Sequence, residues 1–288
     1  MKKLIERAKN VIFRFDLQHV SGKWSKHPIH LDYESGKYRQ DELIKLVRDT
    51  VIHFALTPDE FNELVGGGDV SDASRRAWAR ISKAKRDSKG DYGEVLLFLI
   101  LKMFFPATER FVTKVRLRSS KRDQIKGFDC AHFTIEGGDV VLWLGEAKFH
   151  QSFSTAVTEA VKSLTEHFET QYLKDEISIL HSNIEINKDC PDYAKLESVL
   201  NGSRSIDTIK FKIPVLLTYD SAEVVKHTSV TTPAFIQKMK DEFMEKFKKI
   251  DEQKLSVSAN FDIVFLVFPF ESVKVIKEEL EKIENASR

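Results

Sequence analysis

Apolar residues recur at helical spacing at Leu43, Leu46, Val47 and Ile52, which predicts a helix from Asp41 to Leu56, ended by Thr57-Pro58. Gly66-Gly67-Gly68 marks a flexible connection, and Ser71 or Asp72 is placed to cap the basic helix that follows. From Asp91 the character changes. Asp91-Tyr92-Gly93-Glu94 leads into VLLFLILKMFF, apolar nearly all round, as a buried helix requires. After Pro106 the pattern predicts a strand from Phe111 to Arg118, a basic loop, and two runs rich in Val, Ile, Leu and Phe on either side of Gly137-Gly138. A helix from Ser154 to Leu173 carries Val157, Val161, Leu164 and Phe168 on one face. A polar region through Ser205 separates it from a strand, Phe211 to Tyr219, and a helix, Pro233 to Ile250. Phe261 to Phe268 is a continuous apolar run expected of a buried strand, and an amphipathic helix begins near Glu271. This order predicts an α/β fold with a mixed central sheet flanked by helices. The shift at Asp91 divides the chain into an N-terminal layer or subdomain, residues 1–90, and a core with a C-terminal α/β extension, residues 91–288.

The candidate chemistry sits in the predicted hairpin. A Gly-Gly pair supplies the two positive φ angles of a two-residue type I′ turn. If Gly137 and Gly138 are that turn, Glu136 pairs with Asp139, and the pairing runs back residue by residue until Asp129 faces Glu146. Their Cβ atoms would then be about 4.5–5.5 Å apart. Lys148 points to the same face, two residues beyond Glu146. The rest of that face is Ala131, Phe133, Ile135, Val140, Leu142 and Leu144, all apolar, so the charged trio stands at the rim of a core. Two carboxylates in a partly dry place repel each other unless something neutralises them. A hard divalent cation does so through oxygen ligands. Lys148 itself is the other neutraliser, and it would give a structural ion pair without a metal.

An acid, any residue and then Lys occurs three times: Asp87-Ser88-Lys89, Glu146-Ala147-Lys148 and Glu252-Gln253-Lys254. The first and third lie in polar surroundings and read as solvated surface. Only the middle one ends an apolar strand with a carboxylate placed opposite.

Net charge is +1, with 45 basic against 44 acidic residues, so nothing in the global balance supports tight autonomous nucleic-acid binding. The basic residues are nevertheless uneven. Seven lie between Arg75 and Lys89 against Asp87, and six between Lys114 and Lys126 against Asp123. Each segment reads either as a solvated face or as a phosphate contact. The two cysteines, Cys130 and Cys190, show no paired spacing, which excludes a Cys-rich zinc module and fits a reducing compartment. The longest apolar run, Val95 to Phe105, is too short to span a bilayer, and no signal-like segment follows the N-terminus, so the expectation is a cytoplasmic protein. His19, His27 and His30 cluster loosely near Trp24 without a metal-binding spacing, which favours surface or packing roles. Neither GxSxG nor a phosphate-loop motif is present.

A helix bearing an acid, then a hairpin bearing Asp and E-x-K, then a helix resembles the PD-(D/E)xK restriction-endonuclease-like nuclease core. The matching residues are Glu94, Asp129, Glu146 and Lys148, over roughly Asp91 to Leu173. Within that superfamily Gly93-Glu94, Gly127-Phe128-Asp129 and Gly145-Glu146-Ala147-Lys148 look most like the HamA family. HamA is the nuclease subunit of the Hachiman anti-phage defence system, partnered by the HamB helicase. The initial Pro of the motif is absent, since Phe128 precedes Asp129.

The resemblance implies a restriction-endonuclease-like core with an added N-terminal layer, and a DNA phosphodiester hydrolase that uses Mg²⁺, with Mn²⁺ as a substitute. Asp129 and Glu146 would hold the metal, with Glu94 ligating directly or through water. Lys148 would orient or help deprotonate the attacking water. The expected partners are DNA and a HamB-type helicase, with no membrane. Two other readings fit the same residues: a non-catalytic adaptor that regulates a helicase, and a stand-alone restriction or repair endonuclease.

Overall fold

The computed structural model describes residues 1–17, 22–81, 91–113, 128–182 and 192–287. Among the described residues, seven strands form one mixed sheet. β1 (Ile12–Arg14), β2 (Ser25–Leu31), β5 (Glu109–Thr113), β6 (Cys130–Glu136), β7 (Asp139–Lys148), β8 (Lys210–Asp220) and β9 (Phe261–Phe270) lie in the order β1-β2-β9-β8-β7-β6-β5. Strands β2, β9, β8 and β7 run parallel, whereas β6 and β5 continue antiparallel from β7. A short hairpin, β3 (Tyr33–Glu34) and β4 (Lys37–Tyr38), stands apart. The parallel strands are covered on both faces, which is why β8 and β9 read as near-continuous apolar runs.

The helices that position the site lie on opposite faces. α1 (Lys2–Lys9), α2 (Gln40–Ala55) and α5 (Asp91–Phe104) pack together, and α5 also lies on β7. Between α2 and α5 come α3 (Pro58–Gly66) and α4 (Val70–Ile81). After β7 come α6 (Phe153–His167), which lies on β7 and β8, then α7 (Thr170–Ser182) and α8 (Tyr193–Leu200). α9 (Ala222–Lys226) and α10 (Pro233–Asp251) separate β8 from β9, and α11 (Val273–Ala286) packs on α2 and β8. Alternation along β7 fixes the division of faces. Gly145 looks toward Leu97 of α5, whereas Lys148 bonds to Ser163 of α6. Among the described residues no helix is long and apolar enough to cross a membrane.

The mixed α/β sheet matches the expectation, with several corrections of detail. Thr57 ends one helix and starts the next through a reciprocal capping box with Glu60, with Pro58 at the first helical position. The basic helix starts earlier than expected. Asp69, not Ser71 or Asp72, accepts the Asp72 N–H at 2.9 Å. The single helix expected from Ser154 to Leu173 is two, broken after His167. The break turns Phe168 onto Phe261 and lays Tyr172 against His167. The supposed polar region holds the rest of α7 and all of α8, anchored by Leu196, Val199 and Leu200. The strand expected over Phe111 to Arg118 begins at Glu109, and its second half lies outside the described residues, as do the segment 114–126 and Cys190. The first ninety residues supply β1 and β2 to the main sheet. β2 escapes a sequence pattern because SKHPIHL is rich in polar residues, yet Lys26 is buried there against Asp251 at 2.5 Å.

His27 and His30 have packing roles, while His19 lies outside the described residues. His30 is fully buried among Phe13, Tyr38 and Phe235, and its Nδ1 donates to the Leu31 carbonyl at 2.5 Å. Burial pushes its pKa down to about 4, against 6.5 for a free imidazole. The unfolded chain therefore takes up this proton first as pH falls. Stability owed to neutral His30 is complete above pH 6.5 and is lost on descending toward pH 4, at up to about 1.4 kcal/mol per pH unit. Urea melts of wild type and His30→Leu at stepped pH should converge over that window. Parallel curves would contradict the assignment.

Candidate active site

Gly137 and Gly138 take φ of 61° and 92°, as a type I′ turn demands, and the ladder runs from Glu136–Asp139 to Cys130–Gly145 in the register read from the sequence. There it stops, while β7 continues through Glu146, Ala147 and Lys148. Asp129 fills the gap in a way the pairing rule did not anticipate. Its N–H donates back to the Gly145 carbonyl at 2.8 Å, and its Oδ2 accepts the Ala147 N–H at 2.8 Å. Asp129 thus straddles Glu146 instead of simply pairing with it. Its carboxylate satisfies a backbone donor that the missing strand residue leaves over.

Two glycines let α5 approach this strand. A methyl group at Gly93 would lie 3.0 Å from the Phe149 Cβ and 3.4 Å from the Ala147 Cβ. One at Gly145 would run into the Cys130 Sγ and come within 2.9 Å of the Leu97 Cδ2. Each glycine directly precedes an acid, Glu94 and Glu146. Close contact therefore delivers both acids to the same end of the hairpin. Glu94, Asp129 and Glu146 are 4%, 7% and 4% exposed. Their common neighbour is Cys130. Burial raises its thiol pKa well above the usual range, and the charges of Asp129, Glu94 and Glu146 raise it further.

Lys148 faces this negative field. Its Nζ lies 2.6 Å from the Glu146 Oε1 and donates to the Ser163 Oγ at 2.8 Å. The ion pair considered from the sequence as the alternative neutraliser is therefore present. Among the described residues, no group of three His, Cys, Asp or Glu side chains is gathered so as to hold a metal ion. The residue types still suit a hard cation, because Glu94, Asp129 and Glu146 are buried carboxylates that all act on Cys130, and one ammonium is paired with Glu146.

Two site neighbours were not picked out from the sequence. Ser163 receives Lys148, and His167 places its Nδ1 3.8 Å from the Glu146 Oε2. The His167 ring is stacked on Tyr172 at 4.7 Å and leans on Phe128 at 4.5 Å. A signal for His167 existed. It continues the buried stripe of Ala156, Ala160 and Leu164, where a polar residue is out of place.

Of the other acid-x-Lys triplets, Glu252 and Lys254 are exposed, and 87–89 lie outside the described residues. In the basic helix Arg75 and Arg76 both pair with Asp72. Arg80 is structural, bonded to Glu60 and to the Ala55 carbonyl.

The close approach at Gly145 is directly testable. Gly145→Ala should destabilise the protein by about 1–3 kcal/mol through overpacking. Adding Cys130→Ala should recover part of that loss in denaturant melts, whereas an unchanged melting curve in the single variant would contradict the packing.

No curated protein matches the chain. The HamA family model matches residues 10–283, nearly its whole length. With the acid-bearing helix and the Asp and E-x-K hairpin in place beside that match, the chain belongs to the HamA family, a component of the Hachiman anti-phage defence system.

Proposed function

We propose that this chain is the nuclease subunit of its defence system, a metal-dependent hydrolase of DNA phosphodiester bonds. The observation that carries the reading is the burial of Glu94, Asp129 and Glu146 around Cys130 at the end of the hairpin, with the Lys148 ammonium in contact with Glu146. Asp129 and Glu146, with Glu94, are the residues to hold Mg²⁺ or Mn²⁺. When bound, such an ion offsets phosphate charge and makes a bound water more acidic.

The protein groups divide the remaining work. Lys148, released from Glu146, orients the attacking water and stabilises charge developing on the phosphate. Asp129 is held by the Ala147 N–H, so its second oxygen keeps a set direction. Phe128, His167 and Tyr172 wall the site and limit water around the carboxylates. Arg75 and Arg76, and the basic segment 114–126, are the groups proposed to guide DNA.

The near-zero net charge supports a division of labour with a partner. A chain without a strong basic field gains little from electrostatic capture of DNA, so a HamB-type helicase would deliver the strand in the cytoplasm. The adaptor reading draws on the same Lys148–Glu146 contact, taken as a purely structural ion pair.

Plasmid cleavage with Mg²⁺, with and without the helicase, separates the two. Removing Lys148 alone would leave a buried carboxylate uncompensated, so the better variant is Glu146→Gln with Lys148→Met, which removes both charges at similar volume. The proposal expects this double variant to keep its circular dichroism and melting temperature while cleavage falls by at least about 10³-fold. Undiminished cleavage would place the chemistry elsewhere. Absence of cleavage by wild type with its helicase would favour the adaptor.

A further inference from the structure

We infer that Ser163 is a positioning residue that aims Lys148 at the reacting phosphate, an inference that rests on the nuclease reading above. A lysine ammonium carries three N–H donors in tetrahedral array. One meets the Glu146 Oε1 at 2.6 Å and a second meets the Ser163 Oγ at 2.8 Å. Fixing two of the three fixes the direction of the last, and no third acceptor stands on Lys148 among the described residues. The Lys148 side chain is 15% exposed, so that remaining donor has an outlet from an otherwise closed site.

The scaffold behind Ser163 is well tied. Only residues 149–152 separate β7 from α6. The Gln151 carbonyl accepts the Asp220 N–H at 2.9 Å, and the Ser152 side chain caps the helix through the Thr155 N–H. Helix α6 is thereby held on β7 and β8 and returns Ser163 beside Lys148. One turn later the same helix sets His167 beside Glu146, so one helix places a side chain next to each member of the pair. Once a cation takes over the Glu146 carboxylate, the Ser163 hydroxyl is the contact that keeps Lys148 from swinging free. Loose lysines lose orientation, and small misplacements of a reacting group cost about 10²-fold in rate.

The isosteric pair Ser163→Thr and Ser163→Val isolates the hydroxyl, because both add the same β-branch to the helix. Single-turnover cleavage by the full chain with its helicase should stay within about threefold of wild type for Thr. For Val it should drop about 10–100-fold, with KM for DNA unchanged. Equal rates for Thr and Val, or a loss confined to KM, would overturn the inference. A second readout does not depend on cleavage. In ¹⁵N spectra of lysine ammonium groups, the Lys148 signal, assigned by its absence in Lys148→Met, should persist in wild type and Thr and shift toward solvated lysines in Val. An identical Lys148 signal in Val would overturn the positioning role even if no protein cleaved DNA. A shifted signal without any cleavage would retain the clamp and sink only the nuclease reading.

Discussion

Three buried carboxylates at one end of a hairpin are the constraint around which this structure is arranged. Two like charges 4 Å apart repel by roughly 4 kcal/mol at the effective dielectric of a protein surface, and by more when drier. Such a cluster survives only with compensation. Here Asp129 takes a backbone N–H, Glu146 takes Lys148, and Glu94 rides the first turn of α5, where the helix dipole favours an acid. All three acids also act on the Cys130 thiol and push its pKa up. In the function proposed above, this cluster is where a cation would sit and where phosphate chemistry would take place.

The surrounding elements serve that cluster by proximity. Gly93 and Gly145 remove the side chains that would hold α5 off β7, and the acids that follow them share the benefit. Because β6 begins only at Cys130, the Ala147 N–H lacks a backbone partner on that strand, and Asp129 satisfies it with its side chain. On the opposite face, α6 supplies the hydroxyl and imidazole that face Lys148 and Glu146. A strand end, a helix start and a helix face thus meet at one place.

Much of this was legible in the residues, for reasons that differ by element. Register over β6 and β7 is local physics: two glycines at positive φ and an alternating pattern leave few other pairings. Strands β8 and β9 and helix α10 announce themselves by burial on both faces or by period. Strand β2 did not, because its place depends on a distant parallel neighbour and its Lys26 is neutralised by Asp251, over two hundred residues away. The break between α6 and α7 is equally nonlocal, set by Phe168 reaching Phe261. Asp129 and Glu146 could be brought together by counting residues, whereas Ser163 and His167 become site residues only after α6 is laid on the sheet. Family likeness drew Glu94 into the set; helix propensity alone would have left it as a favourable first-turn acid.

The central claim is that the carboxylates form a cation site for which Lys148 is a stand-in. The most direct measurement is a crystal structure of the protein soaked in Mn²⁺, read by anomalous diffraction. The expected result is an anomalous peak beside Asp129 and Glu146, with Lys148 withdrawn from Glu146 and still bonded to Ser163. A Lys148–Glu146 pair unchanged at saturating Mn²⁺, with no peak at the hairpin, would contradict it.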